Sequence, residues 1–121
     1  MIRTALTAGA VVAVGATAAS AETFGAFAFS PDTGAWGSSY NHQSRASAEG
    51  RALSECRQRA GDCRSILWFR DACGAIATSP NGGWGSGWGG SIILAEREAI
   101  NSCVSYGNEG CSVLTTQCSS Q

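Results

Sequence analysis

Apolar and polar positions follow two different rhythms along this chain. Over Gly25-Ala26-Phe27-Ala28-Phe29, large rings fall on every second residue with Ala between them, the period of two that marks a strand. Ser30-Pro31-Asp32-Thr33-Gly34 then supplies turn chemistry: Pro presets φ, Gly permits φ > 0, and a hairpin follows. Further on the spacing changes. Ala48, Ala52, Leu53 and Cys56 stand at offsets of 0, 4, 5 and 8, which places them on one stripe of a helix, and Ser44 stands where an N-cap belongs. Gly61 is the expected stop of that helix. Ile66-Leu67-Trp68-Phe69 is apolar at alternate and intervening positions alike, the pattern of a central strand covered on each side.

The same rhythm returns in the second half. Gly74-Ala75-Ile76-Ala77-Thr78-Ser79-Pro80-Asn81 echoes Gly25 to Asp32, and Trp-Gly-Ser follows each, at Trp36 and Trp84. Ala95, Ala99, Ile100 and Cys103 repeat the helix offsets behind an N-cap at Ser91, Glu96 matches Glu49, and Gly107 is the expected stop. The chain therefore reads as two strand–strand–helix–strand units, about 24–73 and 74–121, joined in one small domain. The fold class is α/β in the broad sense, α+β more narrowly. Ala on one strand face and on each helix stripe lets the helix lie close to the sheet, leaving Phe and Trp to fill the other face or the rim.

Residues 1–21 are set apart from this pattern. Arg3, an apolar run from Ala5 to Ala19 and the small side chains of Ala19-Ser20-Ala21 read as a secretory signal, with cleavage expected after Ala21. The run is about 15 residues, short of the roughly 20 that span a bilayer, so no stable membrane insertion is expected. Beyond it, seven Arg stand against nine Asp and Glu with no Lys, which gives a net charge of −2. That balance argues against a nucleic-acid partner, which calls for a basic excess.

Six cysteines in an exported chain, at 56, 63, 73, 103, 111 and 118 with no C-x-x-C and a single His, read as three disulfides and no metal site. The duplication selects among the pairings. Cys56 and Cys63 bracket the first helix exit and Cys103 and Cys111 the second, so each pair should close within its unit, leaving Cys73 and Cys118 to join the two units.

With these residues in view, Gly25 to Gly37, Cys63-Arg64-Ser65-Ile66-Leu67-Trp68-Phe69 and Ala72-Cys73-Gly74-Ala75 resemble the bacterial secreted family known as domain of unknown function 4189, over about residues 24–118. The resemblance implies a small exported α/β domain with repeated Gly-Ala and Trp-Gly segments. It implies no activity and no catalytic residues.

Residues shared by both units are most simply explained by the fold they share, whereas a single asymmetric site would draw on residues unique to one unit. Trp36, Trp84, Glu49 and Glu96 thus lean structural. His42 is unique but has no nucleophile elbow near it, and reads as a solvated turn histidine rather than a general base. The helix carboxylates stand four residues from arginines, Arg45 with Glu49, Arg51 with Glu55 and Glu55 with Arg59, which reads as an ion-paired surface. Six of the seven arginines fall in the first unit, again as an ion-paired helix surface. Trp84 and Trp88, like Trp36 and Tyr40, share one face of a strand beside Gly, the form of an aromatic platform for a sugar ring or a protein. These four are the candidate ligand-binding residues.

The resulting expectation is a secreted or periplasmic binding module, non-enzymatic and without cofactor, whose partner is a protein or a cell-envelope glycan. A small exported hydrolase using His42 and a purely structural envelope protein are the alternatives from other classes.

Overall fold

A computed structural model describes residues 21–120. The expected signal segment lies, apart from Ala21, outside the described residues. Among the described residues no helix is long and apolar enough to cross a membrane.

Each half of the chain has the expected order. The first runs β1 (Phe24–Phe29), β2 (Trp36–His42), α1 (Arg45–Arg57) and β3 (Arg64–Arg70), and the second β4 (Cys73–Thr78), β5 (Trp84–Gly89), α2 (Ile92–Ser105) and β6 (Ser112–Cys118). The strands form two antiparallel sheets of order β2-β1-β3 and β5-β4-β6, an α+β arrangement. Both N-caps stand as the sequence indicates: Ser44 Oγ accepts from Ser47 N at 3.1 Å, and Ser91 Oγ from Leu94 N at 3.2 Å. Gly107, at φ +87°, follows the second helix in the left-handed conformation that ends many helices. Gly61 does not play that part. The first helix closes earlier, at Gln58, and a turn in which Arg59 and Ala60 donate to Cys56 O carries the chain on to Cys63.

The alternation of small and large side chains produces four layers. Ala26 and Ala28 of β1 meet Ala48, Ala52 and Cys56 of α1; Ala75 and Ala77 of β4 meet Ala95, Ala99 and Cys103 of α2. On the opposite sheet faces, Phe27, Phe29 and Phe69 meet Ile76, with Trp36 and Trp84 packed around them. The two sheets therefore lie face to face with one helix outside each, β1 over β4, β3 over β5 and β2 over β6. Ala48 and Ala95 are fully buried, as the close-packing argument requires. The helices come so near because β2 and β5 offer glycine beneath them. A Cβ on Gly37 would lie 2.3 Å from Ala52 O, and one on Gly85 2.2 Å from Cys103 N.

Two further expectations are overturned. Among the described residues β3 is an edge strand rather than a central one, since it pairs with β1 alone. Its only buried residue is Phe69, whose ring fits against the bare backbones of Gly25 and Gly74, one from each sheet. The disulfides connect Cys56 to Cys63, Cys103 to Cys111 and Cys73 to Cys118, so the pairings are those the duplication selects. However, Cys73 opens β4 and stands opposite Cys118 of β6, so this bridge staples two strands of one sheet instead of one unit to the other. The halves are joined by packing and by hydrogen bonds around Ser119, which donates from N to Ala72 O at 2.7 Å and accepts from Ala72 N at 3.0 Å. Asn41 N donates to Ser119 O at 2.7 Å, adding β2 to the same junction.

Candidate functional site

The four candidate aromatics do not form one platform. Trp36 meets Phe27 edge-on at 6.3 Å between ring centroids, and Trp84 tilts against Phe29 at 5.0 Å, so both rings belong to the packing between the sheets. Tyr40 and Trp88 are open to solvent, 47% and 61% exposed. They stand at different edges, since β2 lies over β6 while β5 lies under β3.

Trp88 has company at its edge. Ile66, Leu67, Trp68, Phe69 and Arg70 of β3 and Trp88 of β5 line an open cleft of about 410 Å³. Successive strand side chains point to opposite faces, so a cleft lined by five consecutive residues must follow the open edge of the strand. Trp88 forms the wall contributed by the other sheet. Trp68 turns toward the helix side, where its ring stacks on Phe24 at 6.3 Å and the Arg45 guanidinium lies 4.7 Å from its centroid. It remains 38% exposed.

Charge at this edge is positive. Arg64 and Arg70 end β3, both exposed. Arg70 reaches Glu22 at 3.4 Å and Arg45 reaches Glu49 at 3.3 Å, while Arg64 has no carboxylate within bridging distance among the described residues. The expected Arg51–Glu55 pair forms at 2.9 Å, but Arg59 turns instead to the carbonyls of Trp36 and Glu55. Glu49 and Glu96, present in both halves, each accept from a hydroxyl on the third strand of their own half, Ser65 at 3.0 Å and Thr116 at 2.6 Å. Those carboxylates tie helix to sheet.

His42 lies elsewhere, at the end of β2. Its Nδ1 is 2.6 Å from Ser47 Oγ, and Ser47 is the residue whose N–H the Ser44 cap holds, so the contact completes the helix start. Among the described residues no carboxylate is hydrogen-bonded to the imidazole, and His42 does not border the cleft. All six cysteines are bridged. The Asp62 carboxyl is held below its ordinary value chiefly by the hydrogen bond from Ser30 Oγ, with help from Asp32 N at 3.3 Å. That contact pins the first hairpin turn to the loop after α1.

A family model described as Domain of unknown function (DUF4189) matches residues 24–118, every strand and helix given above. The chain belongs to the DUF4189 family. Protein Rv1269c of Mycobacterium tuberculosis and Protein Mb1300c of Mycobacterium bovis are each 35% identical to it over 80 residues, 66% of this chain. The match spans 60% of the length of those curated relatives. The NMR structure of Rv1813c from Mycobacterium tuberculosis is similar with a TM-score of 0.59 and 30% identity, covering 79% of this chain and 74% of that one.

Within this DUF4189 domain, Leu67, Trp68 and Arg70 are cleft residues that the sequence pattern hides as part of a covered strand. A signal for them was present. By register, Leu67, Trp68 and Phe69 occupy the places that Thr115, Thr116 and Gln117 hold in the second half, so the apolar run is unique to one unit.

Proposed function

We propose that this DUF4189 domain is an exported, non-enzymatic binding module that holds its partner at the cleft between the β3 edge and Trp88. The observation that carries the reading is Trp88: a large ring, 61% exposed, walling an apolar cleft beside the open edge of a strand. Three disulfides in a 121-residue chain suit an oxidising compartment, which supports a secreted or periplasmic setting alongside the signal-like first 21 residues. The hydrolase alternative draws no support from the His42–Ser47 contact, beside which no carboxylate among the described residues orients the imidazole.

The test uses the oxidised protein and isolated bacterial envelope fractions, with retention and melting temperature measured together. Trp88→Ala should weaken retention by about 30-fold, the scale of an interfacial hot spot, and leave the melting temperature nearly unchanged. His42→Ala should alter neither. Unchanged retention by Trp88→Ala, or a collapse of its fold, refutes the proposal.

A further inference from the structure

The open side of β3 carries main-chain donors and acceptors as well as side chains. Among the described residues β3 pairs with β1 on one side only, and the cleft follows its free side from Ile66 to Arg70. Unpaired strand edges accept further strands through the main chain, with pockets for alternate side chains giving selectivity. Here the Trp88 indole, projecting from the facing sheet, supplies such a pocket wall.

Charge decides what sort of strand fits. Arg64 and Arg70 stand six residues apart, about 20 Å along an extended chain. The register of β3 on β1 shifts between Leu67 and Ser65, so a second copy of β3 laid antiparallel along this edge would bring Arg64 near, though not squarely opposite, the other copy's Arg70 at each end, like charge near like. A strand with a carboxylate near each end meets attraction at both. Arg64, exposed and without a carboxylate partner among the described residues, is the stronger of these contacts; at Arg70 the incoming acid competes with the exposed Glu22.

We propose that the cleft takes an extended peptide segment of about seven residues, which adds to β3 as a fourth strand of the first sheet, with an acidic residue near each end and an apolar residue seated against Trp88. This rests on the binding reading above and gives its partner a chemistry.

The experiment titrates the 15N-labelled oxidised protein with two heptapeptide pools, one with fixed Asp at both ends and one with fixed Lys, and with chitotetraose as a glycan probe. The acid-ended pool should shift the amides of residues 64–70 and the Trp88 indole N–H, and protect those amides from hydrogen exchange, at least tenfold more tightly than the Lys-ended pool. Methylating alternate main-chain nitrogens of the best peptide should weaken it tenfold or more. Arg64→Glu, on an exposed side chain, should reverse the preference between pools. Equal binding of both pools, or indifference to N-methylation, overturns strand addition while leaving Trp88 as a binding site. A shift of the Trp88 indole by chitotetraose with neither peptide pool bound overturns the peptide and keeps the cleft. No response to any probe overturns the peptide proposal; unaltered envelope retention by Trp88→Ala would in addition remove the binding reading.

Discussion

Replacing Gly85 by Ala probes how the helices reach the sheets. A Cβ there would lie 2.2 Å from Cys103 N and 2.7 Å from both Cys103 Cα and Ser102 C. Ordinary carbon contacts fall at about 3.5–4.0 Å, so α2 would have to retreat by more than about 1 Å. It has little freedom to do so. Cys103 is bridged to Cys111 and is itself fully buried, and Ala95 and Ala99 hold the rest of the helix on β4. Overpacking against the helix backbone, which cannot turn aside as a flexible side chain could, should cost about 3 kcal/mol, the upper part of the usual range. For a domain of this size that lowers the melting temperature by about 12–24 °C. Gly50 is the control: it sits inside α1, exposed, and a methyl added there would meet nothing within 4 Å, so the same change should stabilise by about 0.5–1 kcal/mol through helix propensity. Urea and thermal denaturation of the oxidised variants, followed by circular dichroism, measures both. The reasoning fails if Gly85→Ala stays within about 0.5 kcal/mol of the parent, the scatter of neutral surface changes, or if Gly50→Ala loses as much as Gly85→Ala.

Cys73 and Cys118 are 45 residues apart in sequence and Cys56 and Cys63 only 7, so loop entropy assigns about 4 kcal/mol to the first bridge and about 2.5 kcal/mol to the second. Serine at both Cys73 and Cys118 should therefore lower the urea midpoint more than serine at both Cys56 and Cys63, and the reverse order would contradict the entropic account. Asp62 titrates below its ordinary value of 3.8 in the folded chain, so its contribution to stability is complete above that value and is lost as pH falls through the folded pKa. Urea midpoints from pH 5 down to pH 2 should fall more steeply for the parent than for Asp62→Asn, and parallel slopes would remove Asp62 from the acid response.

What was legible in the sequence is what local rules decide. Alternating Ala and Phe placed each face of β1, the offsets of 4, 5 and 8 placed the helix stripes, and Ser44 and Ser91 marked both helix starts, because side-chain period and capping act over a few residues. The sheet order was not legible. An apolar run such as Ile66 to Phe69 shows that a strand has something to cover, but whether the cover is a neighbouring strand, a facing sheet or a partner depends on contacts far along the chain. For the same reason the Cys73–Cys118 pairing could be assigned while its setting was misplaced: duplication selects partners, but only sheet register shows that both residues belong to β4 and β6. Trp36 and Trp88 illustrate the limit for the site. Each stands beside Gly on a strand, yet one ring closes the space between the sheets and the other extends past the end of it.

The two halves of the chain then act as a control on each other. β6 occupies in the second sheet the place of β3 in the first, and it does so with Thr115, Thr116 and Gln117 opposite Ile76, Ala75 and Gly74. The same layout is thus built without an apolar third strand. Phe69 has a structural task, since its ring meets Gly25 and Gly74 across the sheets. Leu67 packs against the inter-sheet core beside Gly74, and Trp68 stacks on Phe24 beneath the Arg45 guanidinium, yet each remains partly open at the edge of the sheet. An exposed apolar edge invites pairing with a second copy, and Arg64, with Arg70 partly offset by Glu22, places charge there that discourages it. Apolar surface left partly open along a strand edge and flanked by arginines is the arrangement expected where a partner of opposite charge is to be admitted and a second copy refused.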